Sequence, residues 1–300
     1  MDDSPIQTAL CVVGHPIGGN PTQFVALRAL AALGLEWQFV SFDVATEDIQ
    51  RALAGIDSLG FCGAMIASPY QSQVAGFLAS IRGEPAEDTE TVQWYDCLSR
   101  DSNNTLIASN VYAESLDRAI RSLLGTEHSL DQCLLIGDHA KLPGLIAPFT
   151  QLLPASRLVV SASNLASWPI EATLPETNTD STIHEPKPAY DVEATPSLII
   201  WAVETRPTKK AVAKPSAQMP TPAFVAELVL QLHPGSLLVD LSGTAAAWLA
   251  VRNEETKPLI SVISKVDLDV SQLAIAIQRW TGQEPNLDLI REAIEEYLEI

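Results

Sequence analysis

The residues best placed to do chemistry stand where an apolar run ends. Leu59 to Ala67 is apolar, Ser68-Pro69 interrupts it, and Tyr70-Gln71 follows. Proline has no N–H to give a sheet ladder, so a strand over 61–67 should stop at Pro69. Open α/β sheets bind ligands at the C-terminal edge of their strands, which puts Gln71 at a binding edge. A carboxamide both donates and accepts hydrogen bonds, yet it does not titrate near neutral pH. Gln71 can therefore polarise a hydroxyl but cannot shuttle its proton.

Other chemistries lack their residues. No Gly-x-Ser-x-Gly elbow is present for a serine nucleophile. His15, His128, His139, His184 and His233 are scattered, so no metal site is expected. Cys11, Cys62, Cys97 and Cys133 form no CxxC pair and read as small buried hydrophobes. The net charge of −19 excludes a phosphate-backbone partner, because the chain has little with which to displace counterions. The cluster Arg206, Lys209, Lys210 and Lys214 lies in a Pro-rich stretch and reads as a solvated loop. No apolar run nears the roughly 18 residues of a membrane span. The acidic start lacks a signal-peptide pattern, so a cytoplasmic protein is expected.

The positioning elements follow from periodicity and turn residues. Residues 8–14 read as a buried strand closed by Gly14. His15 to Gln23 holds Pro16, Gly18, Gly19 and Pro21 and must be a loop. Asn20 or Thr22 can cap a helix from Phe24 to Leu33, which Gly34 ends. A strand over Glu36 to Val44, a helix from Thr46 (its N-cap) to Ala54, the strand at 61–67 and a helix from Ser72 to Ile81 come next. Further strands are predicted at 104–108, 133–137, 158–161, 197–203 and 236–241. Further helices are predicted at 115–124, 143–153 and 224–232. Two amphipathic stretches, 269–281 and 287–299, close the chain. Segments 165–196 and 205–222 are rich in proline and read as irregular connections. Strand–helix alternation predicts an α/β layer architecture, and 300 residues suffice for two domains.

Three places together resemble the shikimate dehydrogenase family. Gly14-His-Pro-Ile17 is followed nine residues after the glycine by Gln23-Phe24. Gly63 to Gln71 carries Pro69 and an aromatic at Tyr70. In the tail, Gln272 stands eight residues before Trp280-Thr281-Gly282. The resemblance implies an α/β fold of two domains. These are an N-terminal substrate-binding-type domain (1–115), a Rossmann-like nucleotide-binding-type domain (116–250), and C-terminal helices (251–300) returning to the first domain. It further implies reduction of 3-dehydroshikimate with NADP, in aromatic amino-acid synthesis.

The functional residues that the resemblance implies are largely replaced. Asn20 and Thr22 stand where the family holds the substrate carboxylate with two serines. Met65, Ala67 and Gln71 stand where the family pattern has asparagine, threonine and the proton-transfer lysine. Asp96 stands at an asparagine, and Tyr112 at the aspartate that partners the lysine. Asn110 and Gln272 are kept as substrate-contacting positions. Gly137 is the one glycine left in a turn that continues Asp138-His139-Ala140-Lys141. No basic residue for a 2′-phosphate occurs in Ser161 to Asn164. The reading is of a divergent protein lacking normal dehydrogenase activity. It binds a small polar, carboxylate-type ligand through Asn20, Thr22, Asn110 and Gln272, or serves as a regulatory or structural partner. The alternative is an active oxidoreductase on shikimate or a quinate-like acid. No cofactor is expected in the first reading; NADP or NAD, at Gly137, is expected in the second. Neither nucleic acid nor membrane is a partner, and the state is monomer or homodimer.

Overall fold

The computed structural model describes residues 7–67, 69–82, 94–124, 132–137, 157–162, 182–184, 198–202, 236–241 and 260–299. The chain divides into two compact units. One comprises Met1–Thr89, Gln93–Leu116 and Val266–Ile300; the other comprises Glu90–Val92 and Asp117–Lys265.

The first unit is built on a five-stranded sheet, β1 (Ala9–Gly14), β2 (Gln38–Asp43), β3 (Gly63–Ile66), β4 (Cys97–Arg100) and β5 (Leu106–Ser109), in the order β2-β1-β3-β4-β5. β1 pairs in parallel with β2 and β3, while β3–β4 and β4–β5 are antiparallel. Side chains of a strand alternate between faces, and β1 uses both for core. Leu10 and Val12 enter one cluster with Val25, Ala26, Ala29 and Leu30 of α1 (Thr22–Ala32). Cys11 and Val13 enter a second with Ile49, Leu53 and Ile56 of α2 (Ile49–Ser58) and Val74, Phe77 and Leu78 of α3 (Val74–Arg82).

Two helices from the end of the chain complete the first cluster. α5 (Lys265–Thr281) supplies Leu273, Ile277 and Trp280, and α6 (Leu287–Leu298) supplies Ile290 and Ile294. The return of the C-terminal helices to the first unit is therefore a packing fact. Gly63 permits it. A Cβ there would fall within the Trp280 indole and 2.6 Å from the Leu98 carbonyl oxygen. That same carbonyl accepts from Trp280 Nε1 at 2.8 Å.

The second unit holds β6 (Gln132–Gly137), β7 (Arg157–Ala162), β8 (Thr182–His184), β9 (Leu198–Ala202), β10 (Leu237–Asp240) and β11 (Ser261–Ser264). All are parallel, in the order β11-β10-β9-β6-β7-β8. The strand order reverses beside β6, the arrangement of a doubly wound dinucleotide-binding sheet. α4 (Val111–Leu124) carries the chain from the first unit into the second.

Several expectations shift. The strand at 104–108 is one arm of a hairpin. Asp101 Oδ1 accepts from the N–H groups of Asn103 (2.9 Å) and Thr105 (2.8 Å), and Asn104 takes a left-handed φ of 61°. Its partner β4 is too short to show a period, as are β8 and β11. Thr46 does not cap α2: it opens a 3₁₀ turn whose preceding residue is Ala45, with no side-chain cap. α4 begins at Val111 and α5 at Lys265, each four residues before its predicted start. The predicted helices at 143–153 and 224–232, the turn from Asp138 to Lys141 and the loop 205–222 lie outside the described residues, as does most of 165–196.

Candidate functional site

β3 ends at Ile66, and the next residues are pinned one by one. Ala67 N–H donates to the Val13 carbonyl (2.8 Å), and Tyr70 N–H donates to the Ala67 carbonyl (3.2 Å). Tyr70 is fully buried, and its hydroxyl donates to the Val44 carbonyl. Gln71 then opens a 3₁₀ turn, Gln71–Gln73, that leads into α3. Its backbone carbonyl accepts from Tyr95 N–H at 3.1 Å. Its side-chain Oε1 is buried without a hydrogen-bond partner.

The residue after Tyr95 is the centre of the site. Asp96 is 3% exposed. Its Oδ1 accepts from Val111 N–H at 2.7 Å; its Oδ2 accepts from Tyr112 N–H at 2.9 Å and from Gln272 Nε2 at 2.7 Å. The carboxylate thus sits on the first N–H groups of α4, where unsatisfied donors and the helix dipole favour negative charge. Burial nevertheless dominates and pushes its pKa up to about 6, although the bonds from Gln272, Val111 and Tyr112 pull it down. Beside it, burial raises the Tyr112 hydroxyl above its usual range, and the Asp269 and Asp96 carboxylates raise it further.

Asn110, Tyr112 and Gln272 are thereby brought together, and Gln71 joins them through the Tyr95 backbone. Asn110 acts as the N-cap of α4: its Oδ1 accepts from Ala113 N–H at 2.9 Å. Asn20 and Thr22 form a separate pair at the start of α1. Asn20 Oδ1 accepts from Thr22 N–H at 2.9 Å, and Pro21 already has helical φ and ψ. Asn20 is thus the capping side chain, with Pro21 in the first-turn position that proline favours. Gly137 ends β6 in the second unit, paired with Ala162 and Ala202.

Asp96 is the residue that sequence reasoning undervalued. It stands where the family pattern has an asparagine, and residue type alone assigns it no role. The available signal was an acid one residue before the apolar Cys97-Leu98, with the helix cap Asn110 following. No local pattern says that such an acid is buried. Among the described residues, no group of three or more His, Cys, Asp or Glu is placed to hold a metal ion, and no helix is long and apolar enough to cross a membrane.

A nicotinamide dinucleotide finds the right strand order in the second unit, with Gly137 at the end of its central strand. The turn sequence fits it poorly. In the sequence an acid, Asp138, follows Gly137, and the further glycines that let a backbone approach a pyrophosphate are missing.

No model of a known protein family matches the chain. Shikimate dehydrogenase (NADP(+)) of Synechocystis sp. is 25% identical over 297 residues, covering 97% of this chain and 96% of the relative. Shikimate dehydrogenase of Aquifex aeolicus superposes with a TM-score of 0.67 at 12% identity, covering 97% of this chain and 98% of the other. Quinate dehydrogenase of Corynebacterium glutamicum, in complex with NAD, superposes with a TM-score of 0.66 at 16% identity, covering 97% and 99%. The chain therefore has the shikimate dehydrogenase fold and resembles those enzymes along nearly its whole length.

Proposed function

We propose that this shikimate dehydrogenase-like protein binds a small polar molecule in its first unit and does not perform the nicotinamide-dependent reaction of its named relatives. One observation carries the reading. The two positions where the resemblance implies a proton-transferring lysine and aspartate hold Gln71, which does not titrate, and Tyr112, whose hydroxyl is held protonated by burial and two carboxylates. General acid–base catalysis is commonly worth about 10²–10⁴-fold. Its loss, together with a turn poor in glycine, leaves little basis for hydride transfer. The polar groups that remain still suit recognition. A regulatory or structural role toward a partner enzyme is compatible with the same binding.

The test is direct. Purified protein is mixed with shikimate or quinate and NADP or NAD, and nicotinamide absorbance is followed. The expected result is no turnover above background. Turnover that disappears in Gln71→Ala or Tyr112→Phe would sink this reading.

A second reading keeps an NAD(P)-dependent oxidoreductase on a shikimate- or quinate-like acid. Asp96 favours it, because a carboxyl with a pKa of about 6 can exchange a proton near neutral pH. The same assay decides between them. In this second case Asp96→Asn abolishes turnover.

A further inference from the structure

We propose that Gln23 guards the edge of the first unit's sheet: its side-chain amide occupies the middle outward N–H of β2 and keeps that strand from pairing with the β2 of a second copy of this chain.

Among the described residues, β2 is the last strand on its side of the sheet. Its N–H groups alternate between β1 and the outside. Gln38 N–H donates to the Thr8 carbonyl at 2.9 Å and Val44 N–H to the Gly14 carbonyl at 3.0 Å. The N–H groups of Phe39, Ser41 and Asp43 therefore face away from β1. An edge strand offers such groups as a template for another chain. The residues here suit that template. Trp37-Gln-Phe-Val-Ser-Phe42 holds no charge, no proline and no glycine, and half of it is aromatic. Val40 and Phe42 lie beside the buried Cys11 and Val13 of β1, yet they are 38% and 39% exposed on that face.

A second copy is the partner that fits this edge. With a two-fold axis at Ser41, two antiparallel β2 strands exchange backbone hydrogen bonds at Ser41. Val40 of each copy then stands opposite Phe42 of the other, a β-branched and aromatic pair formed twice. Asp43 falls opposite Phe39, so like charges do not meet within the strand. Gln23 blocks the centre of that pairing. It is the second residue of α1, and its Oε1 accepts from Ser41 N–H at 2.8 Å. The N–H on which the two-fold pairing centres is thus already bonded within the chain. At the end of the strand His15 Nδ1 and Asp43 Oδ1 are 2.9 Å apart, which holds a half-exposed carboxylate at the edge. Charged side chains at an edge are a further device against pairing. His15 and Gln23 both come from the Gly14-to-Phe24 motif, so that motif protects the strand beside the one it follows.

Sedimentation velocity of the full chain over a concentration series reads the association, and circular dichroism reads the fold. Gln23→Ala is expected to self-associate, still folded, at about a tenth of the concentration that the unchanged chain needs. Gln23→Glu keeps an acceptor for Ser41 N–H and is expected to behave as the unchanged chain. Adding Ser41→Pro to Gln23→Ala removes the N–H itself and is expected to reverse the association, since proline is tolerated on an edge strand but cannot donate. That reversal separates edge pairing from mere loss of stability, because proline does not restore the lost hydrogen bond. If Gln23→Ala does not fold, Gln23→Met keeps the volume without the amide and is expected to show the same increase. A folded variant lacking the amide that associates no more readily than the unchanged chain overturns the proposal. So does association that persists undiminished once Ser41→Pro is added.

Discussion

Gln272 Nε2 donates to Asp96 Oδ2 at 2.7 Å across 176 residues of chain. The bond ties α5, which returns from the end of the sequence, to the segment that leads into β4. Asp96 also receives the first two N–H groups of α4. One buried carboxylate therefore joins three segments that the sequence keeps apart.

Its ionisation sets a pH dependence. The folded-state pKa of about 6 lies above the ordinary 3.8. The folded protein thus holds this proton more tightly than the unfolded chain. The associated stability is present below about pH 4 and is lost as pH rises through about 6. Over that window the loss is of order 3 kcal/mol. Urea midpoints measured between about pH 4 and pH 7 should reveal this falling component, and Asp96→Asn should remove it. An identical pH profile for the variant would contradict the assignment.

Gln71 is expected to reduce the stability of the free protein. Its Oε1 is buried without a partner, so Gln71→Leu should raise unfolding stability by about 1 kcal/mol. A loss of stability in that variant would show that the amide has a structural task.

Gly63 and Gly55 make a matched pair. At Gly63 an added methyl meets Trp280 and the Leu98 carbonyl; at Gly55, inside α2, it meets nothing within 4 Å. Gly63→Ala should cost about 1–3 kcal/mol or prevent folding. Gly55→Ala should stabilise by about 0.5–1 kcal/mol. Chemical denaturation of the two variants side by side checks the sign of each.

Asn110 and Asn20 engage their carbonyl oxygens at helix starts. Asn110→Ala and Asn20→Ala should each lower stability by about 1 kcal/mol, measured without any ligand. Unchanged stability in both, with altered ligand response, would assign them to recognition instead.

Much of the first unit was legible from residue order. The apolar run Leu10 to Val13, the glycine after α1, and the proline at 69 fixed strands and turns through local sterics and burial. The three spaced motifs pointed to the fold now seen by superposition. The strand order of the second unit was not legible beyond its class, because β8 and β11 are too short for periodicity and their pairing is non-local.

The sequence by itself determined that Gln71 cannot carry a proton whatever surrounds it, and that a single glycine stands at 137 where the resemblance implies several. Only the tertiary structure decided how Asp96 is held. Residue type gives Asp96 an ordinary carboxylate. Its pKa of about 6, its three neutral donors and its place between α4 and α5 arise from burial and from contacts 15, 16 and 176 residues away. Desolvation belongs to the folded surroundings of a group, and no local pattern records it.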